Sequence, residues 1–156
     1  MLLNIITAIS NLTVLYPLYS SFVHADYLTF IPIIFVGSAS FISHLFENHK
    51  HGMPGIANVS VNISYFLNRL DVAGVAITIS RLLYIYYQKH GTDISTILGN
   101  KTLCISLVCS FLLNIISEYD KYNSSLRSTY VITHSLWHIS IYIIMGLFMK
   151  TFIYIN

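Results

Sequence analysis

The stretch LLNIITAISNLTVLYPLYSSFVHADYLTFIPIIFVGSASFISHLF, residues 2–46, decides the fold. It falls into two blocks, Leu2 to Phe22 and Tyr27 to Phe46, neither with an acidic side chain, a lysine or an arginine, joined only by Val23-His24-Ala25-Asp26. A helix needs about 20 mostly apolar residues to cross roughly 30 Å of hydrocarbon at about 1.5 Å per residue. Each block has that length, and the four-residue joint turns the chain straight back. The pattern predicts two membrane-spanning helices in a hairpin. The first block has neither the basic flank nor the small-residue cleavage site of a secretory signal, so it reads as a retained span.

Three more apolar blocks follow, at residues 65–87, 102–117 and 129–149, separated by polar stretches at 47–64, 88–101 and 118–128. The whole of 1–156 therefore reads as one transmembrane domain. Its fold class is all-α, a polytopic membrane helix bundle of about five transmembrane helices over 2–22, 27–46, 65–87, 102–117 and 129–149. The 47–64 stretch holds Gly52, Pro54 and Gly55, which break helices, and reads as a loop ending in a short interfacial helix. Composition agrees: 55% of the 156 residues are hydrophobic and 9% charged, against about 25% charged in a soluble domain. A net charge of +2 without a Lys/Arg cluster excludes a nucleic-acid partner. Cys104 and Cys109 sit five apart in one block, where helical geometry forbids a bridge, so both read as packing residues. Orientation stays open, because Lys50, Arg69, Lys121 and Arg127 on one side balance Arg81, Lys89, Lys101 and Lys150 on the other. A homo-oligomer is compatible with such a bundle, and the chain names no organelle.

Polar residues at membrane depth are costly and point to function. The second span ends with Ser40 and His44, the third opens with Asn68-Arg69-Leu70-Asp71, and the fifth opens with Thr133-His134-Ser135-Leu136-Trp137-His138. His134 and His138, four apart, share one helix face. Span two ends where span three begins, and span five starts on that same side after one full return. His44, Asp71, His134 and His138 therefore meet at one depth. Three neutral imidazoles with a fourth position open make a catalytic zinc pattern, with Asp71 as general base and Ser40 as a neighbouring hydrogen-bond donor. The competing structural reading makes the histidines helix-packing hydrogen-bonders and has Asp71 pair with Arg69 or cap its helix. His24, His49, His51 and His90 read as solvated loop residues, with His49-Lys50-His51 as an alternative metal site; Glu118 and Asp120 read as loop charges.

Ser-x3-His ending one span, Asp-x2-Gly opening the next (Asp71 to Gly74) and His-x3-His opening the last together resemble the signature of a membrane hydrolase superfamily. It comprises alkaline ceramidases, progestin and adipoQ receptors with their haemolysin-III-like relatives, and myomaker-like proteins. The resemblance covers Ser40 to Arg81 and Tyr130 to Met149, under half of the chain. It implies zinc held by His44, His134 and His138, with Asp71 and Ser40 beside it, and a membrane lipid as substrate or ligand. Members have seven spans, so a helical pair between Asp71 and the last span is missing here. The function expected is a zinc-dependent intramembrane hydrolase of a lipid amide or ester. The alternative is a non-enzymatic multi-pass protein, receptor-like or membrane-remodelling, with structural zinc or packing histidines. A small channel ranks third, since no glycine-rich filter or broken helix supports it.

Overall fold

A computed structural model describes residues 2–154, which are helical apart from turns and loops. Helix α1 (Leu2–Val23) is α-helical except for a tighter 3-10 turn at Asn11–Val14. Pro17 explains the turn: its ring would collide with the carbonyl four residues back, that of Thr13. Helix α2 (Tyr27–Leu45) starts at Asp26, whose carboxylate accepts from the Thr29 amide at 3.1 Å. Helix α3 (Val61–His90) starts at Ser60, whose hydroxyl accepts from the Ile63 amide at 3.3 Å, and stops at Gly91 in a left-handed conformation (φ 63°). A short α4 (Ser95–Gly99) precedes α5 (Lys101–Glu118), capped by the Asn100 side chain. Helix α6 (Arg127–Phe148) continues through a π-helical turn at Met149–Ile153.

Five of these are long and apolar enough to cross a membrane: α1, α2, α3, α5 and the stretch Ser124–Ile153 around α6. Their order and number match the five blocks. The extents differ in instructive ways. Helix α3 has 30 residues and runs past both ends of its apolar block, because capping and backbone hydrogen bonding, not hydropathy, end a helix. The 47–64 stretch forms no separate interfacial helix; its last residues are the first turn of α3. Residues 95–99, within a stretch read as loop, fold as α4.

Helix α1 sits behind α2 and α6, α3 flanks α2, and α5 flanks α6, so the long helices form an arc. Small residues allow the closest approaches. A Cβ on Gly74 would lie 3.0 Å from the Val36 backbone, and one on Gly146 would lie 2.2 Å from the Tyr16 ring. The arc does not close on its open side: no Cα of α3 comes within 8 Å of one in α5. These two helices are also the least covered by the rest of the bundle. The C-terminal turn 149–153 touches α3 and narrows the gap at one end only.

Candidate metal centre

His44 lies in the last turn of α2, where four backbone carbonyls lack helical partners. Asn4 of α1 donates from one amide nitrogen to the carbonyls of His44, at 3.0 Å, and Glu47, at 2.9 Å. That side chain fixes the exit of α2. His134 and His138 lie one turn apart on α6. The three rings meet edge-on or tilted around one point, with centroids 4.6 to 4.8 Å apart, and one ligand nitrogen from each lies within 4.8 Å of the others. All three are buried, so this group could hold a metal ion.

Hydrogen-bond bookkeeping identifies the free nitrogens. Nδ1 of His138 lies 2.9 Å from Ser10 Oγ, and Nδ1 of His134 lies 2.9 Å from Ser117 Oγ. Each serine spends its one proton on a backbone carbonyl in its own helix, that of Thr7 at 2.6 Å and that of Asn114 at 2.7 Å. Each must therefore accept from histidine, which places the ring proton on Nδ1. Nδ1 of His44 faces the Glu47 carboxylate at 3.1 Å, an acceptor only, with the same consequence. The three rings are thus locked in one tautomer, and three Nε2 lone pairs remain. Nε2 of His44 is buried with no hydrogen-bond partner. Packing histidines would satisfy one another; these present acceptors without a donor, which is the condition a metal ion meets.

Asp71 is on α3, well inside the helix rather than at its cap. Its Oδ2 accepts from Ser40 Oγ at 3.2 Å and lies 3.8 Å from His44 Nε2, so its partners are these and not Arg69. All five residues singled out from the sequence, Ser40, His44, Asp71, His134 and His138, line one cavity.

The loop histidines depart from the sequence reading. His49 and His51 are buried, not solvated. His49 Nδ1 meets Ser64 Oγ of α3 at 2.7 Å, while both nitrogens of His51 face carbonyls, of Asn123 and Ser117, at 3.2 Å. Their rings point to different partners, so His49-Lys50-His51 does not assemble a metal site. Residues 47–55 tuck beneath α3, α5 and α6, and a polar sequence concealed that burial. Glu118 ends α5 and meets Lys50 Nζ at 2.7 Å while its side chain stays about a third exposed. Burial pulls the Lys50 ammonium down, yet Glu47 and Glu118 reverse this and raise it above its usual value.

Sequence reasoning missed Glu47, Ser10, Ser117 and Tyr130. Glu47 has zero exposure, and its Oε2 accepts from Tyr130 OH at 2.5 Å as well as from His44. Burial pushes the Glu47 carboxyl up, but His44, Lys50 and Tyr130 overcome it and hold it at about 2. Its one visible signal was a charge three residues after His44.

The cavity measures about 740 Å³ and opens between α3 and α5. His49, Lys50 and Glu118 line one end, the metal-centre residues follow, and Val75, Leu82, Leu107, Phe111, Ile141 and Phe148 line the remainder. The lining on α3 runs from Tyr65 to Leu83, about 27 Å at about 1.5 Å per residue.

A protein of Acanthamoeba polyphaga mimivirus described as "Uncharacterized protein L282" is 47% identical over 151 residues, covering 97% of this chain and 99% of that one. The chain belongs to that protein's family. No family model and no solved structure matches it. The likeness to the mimivirus protein runs across the helices that carry the histidine cluster.

Proposed function

We propose that this chain is an integral, multi-pass membrane protein that works as a zinc-dependent hydrolase of a lipid amide or ester. The observation that carries the reading is the set of three buried imidazoles locked with their Nε2 lone pairs unprotonated. Three neutral imidazole ligands suit zinc among the common divalent ions. Zinc held there supplies a Lewis acid that brings water ionisation to near-neutral pH. His44, His134 and His138 would hold it. Asp71, on the cavity side of His44, is placed to accept a proton from water, and Ser40 orients that carboxylate through its 3.2 Å hydrogen bond.

The cavity supports a lipid as the substrate. Its polar end, central carboxylate and apolar remainder repeat the order of headgroup, carbonyl and acyl chain. The gap between α3 and α5 gives a chain lateral access from a bilayer. The apolar walls exclude water from the acyl side, which strengthens every charge interaction at the carbonyl.

That same gap favours a second reading, a receptor-like or membrane-remodelling protein with a structural zinc, because fewer walls hold a substrate less firmly. Zinc-loaded protein incubated with a panel of ceramides and ester lipids separates the two. Fatty acid release that disappears in Asp71→Asn is the expected result. A panel left wholly intact by loaded wild-type protein overturns the hydrolase reading.

A further inference from the structure

We propose that Glu47 is the positioning residue of the metal centre: it fixes the tautomer and the aim of the His44 imidazole and supplies the anion behind the ligand set. This rests on the metal-centre reading above.

The three histidines are not backed alike. His134 and His138 each hydrogen-bond a neutral serine hydroxyl, with the part-exposed Glu118 carboxylate no nearer to His134 Nδ1 than 3.9 Å, whereas His44 hydrogen-bonds a carboxylate with zero exposure at 3.1 Å. A buried carboxylate costs several kcal/mol unless it is paired and hydrogen-bonded, so its place behind one ligand calls for an account. Glu47 Oε2 faces Nδ1, on the far side of the His44 ring from Asp71, and so it cannot itself enter the ligand set. Its remaining contacts immobilise it: Tyr130 OH on the same oxygen, Lys50 Nζ 3.8 Å from the other, and Asn4 on its carbonyl. Three side chains, of His44, Lys50 and Tyr130, thus converge on the carboxylate while Asn4 holds its backbone, and its output toward the ligand set is the hydrogen bond to His44.

The chemistry follows from charge. A carboxylate accepting Nδ1–H makes the opposite nitrogen more basic and prevents the ring from turning away. Three neutral imidazoles leave a divalent ion uncompensated, and Asp71 supplies one negative charge. Glu47 supplies the second from behind. Lys50 sits between Glu47 and Glu118, 3.8 and 2.7 Å from their oxygens, so the three groups together carry one net negative charge behind His44. The serines behind His134 and His138 orient without adding charge, so they contribute less.

The test uses the full chain in detergent. Zinc affinity is measured by competition with a chromophoric chelator, beside the melting temperature of the metal-free protein, for wild type, Glu47→Gln, Ser117→Ala and Tyr130→Phe. Glu47→Gln is expected to bind zinc roughly 10–100-fold more weakly, Ser117→Ala and Tyr130→Phe only a few-fold more weakly. Tyr130→Phe removes the hydroxyl donor and reports that hydrogen bond in the metal-free melting temperature, whereas Glu47→Gln keeps an oxygen that can accept it and removes the charge, so its metal-free melting temperature shows whether it folds. Wild-type affinity in a folded Glu47→Gln overturns the proposal and leaves the metal centre standing. Wild-type protein that takes no zinc overturns both. Nitrogen-15 spectra of metal-free wild type need no variant to fold: they should report His44 protonated at Nδ1, and a proton on Nε2 sinks the assignment.

Discussion

The two ends of the bundle each carry a polar cluster, buried at the histidine end and partly exposed at the other, and they are built on opposite principles. Opposite the histidines, Asp26 accepts from the Thr29 amide and hydroxyl, from Arg81 at 3.3 Å and from Tyr154 OH at 3.1 Å. Arg81 also donates to Thr29 Oγ1 at 3.2 Å, His24 stacks on Tyr154 with centroids 4.1 Å apart, and Lys89 and His90 hold the carbonyls of Ile153 and Phe152. Donors and acceptors balance there, and the product is a clamp joining α2, α3 and the C-terminal turn. At the histidine end the ledger is left open. Ser43 Oγ, His44 Nε2, Glu47 Oε1, Asn48 Oδ1 and His49 Nε2 are all buried without a hydrogen-bond partner. A cluster that only holds helices together has no reason to leave such atoms unsatisfied, since each costs about 1–3 kcal/mol. The unbalanced end is where a ligand belongs.

Substitutions at the two ends should therefore differ in kind. The largest effect is expected for Asp71→Asn, which removes the proposed general base and should reduce release of fatty acid about 10²–10⁴-fold while zinc content stays at the wild-type level. Lost zinc in Asp71→Asn, measured by elemental analysis, would make Asp71 a ligand instead of a base. Ser40→Ala frees the carboxylate of its one hydroxyl donor and should cost about 1–3 kcal/mol in kcat/KM, read from the same lipid assay. At the clamp end, Asp26→Asn should leave zinc content and hydrolysis unchanged and lower stability by no more than about 1 kcal/mol, because asparagine still caps α2 and only the part-exposed charge facing Arg81 is lost. Its pH dependence has a definite sign. Burial raises the Asp26 carboxyl, but Thr29, Tyr154 and Arg81 outweigh it and hold it below 3.8. Its stabilisation is therefore complete above pH 3.8 and fades as the pH falls further. Melting curves of wild type and Asp26→Asn should differ at neutral pH and converge in acid. A constant difference would mean that the carboxylate charge plays no part in the clamp.

The histidine end was legible in sequence because its signal is topological. The four-residue spacing of His134 and His138 sets one helix face, and counting spans carries His44 and Asp71 to the same depth. The five helices were legible because apolar length is a one-dimensional quantity. What was not legible depends on which helices touch. Hydropathy does not say that α3 and α5 stay apart, and so it gives no sign of the lateral opening. Ser10, Ser117 and Glu47 look ordinary in sequence, and they acquire meaning only when α1, α5 and the turn after α2 fold behind the three rings. His49 and His51 misled for the same reason: a polar loop was read as solvated, yet it packs beneath the helix ends.

The central claim is that three locked imidazoles hold a metal ion, and elemental analysis of purified protein tests it most directly. Wild-type chain is expected to carry about one zinc ion per molecule, and His138→Ala to lose most of it, because neither Ser10 nor Asp71 replaces a missing imidazole. Equal zinc in wild type and His138→Ala, or none in wild type purified with zinc present, would contradict it.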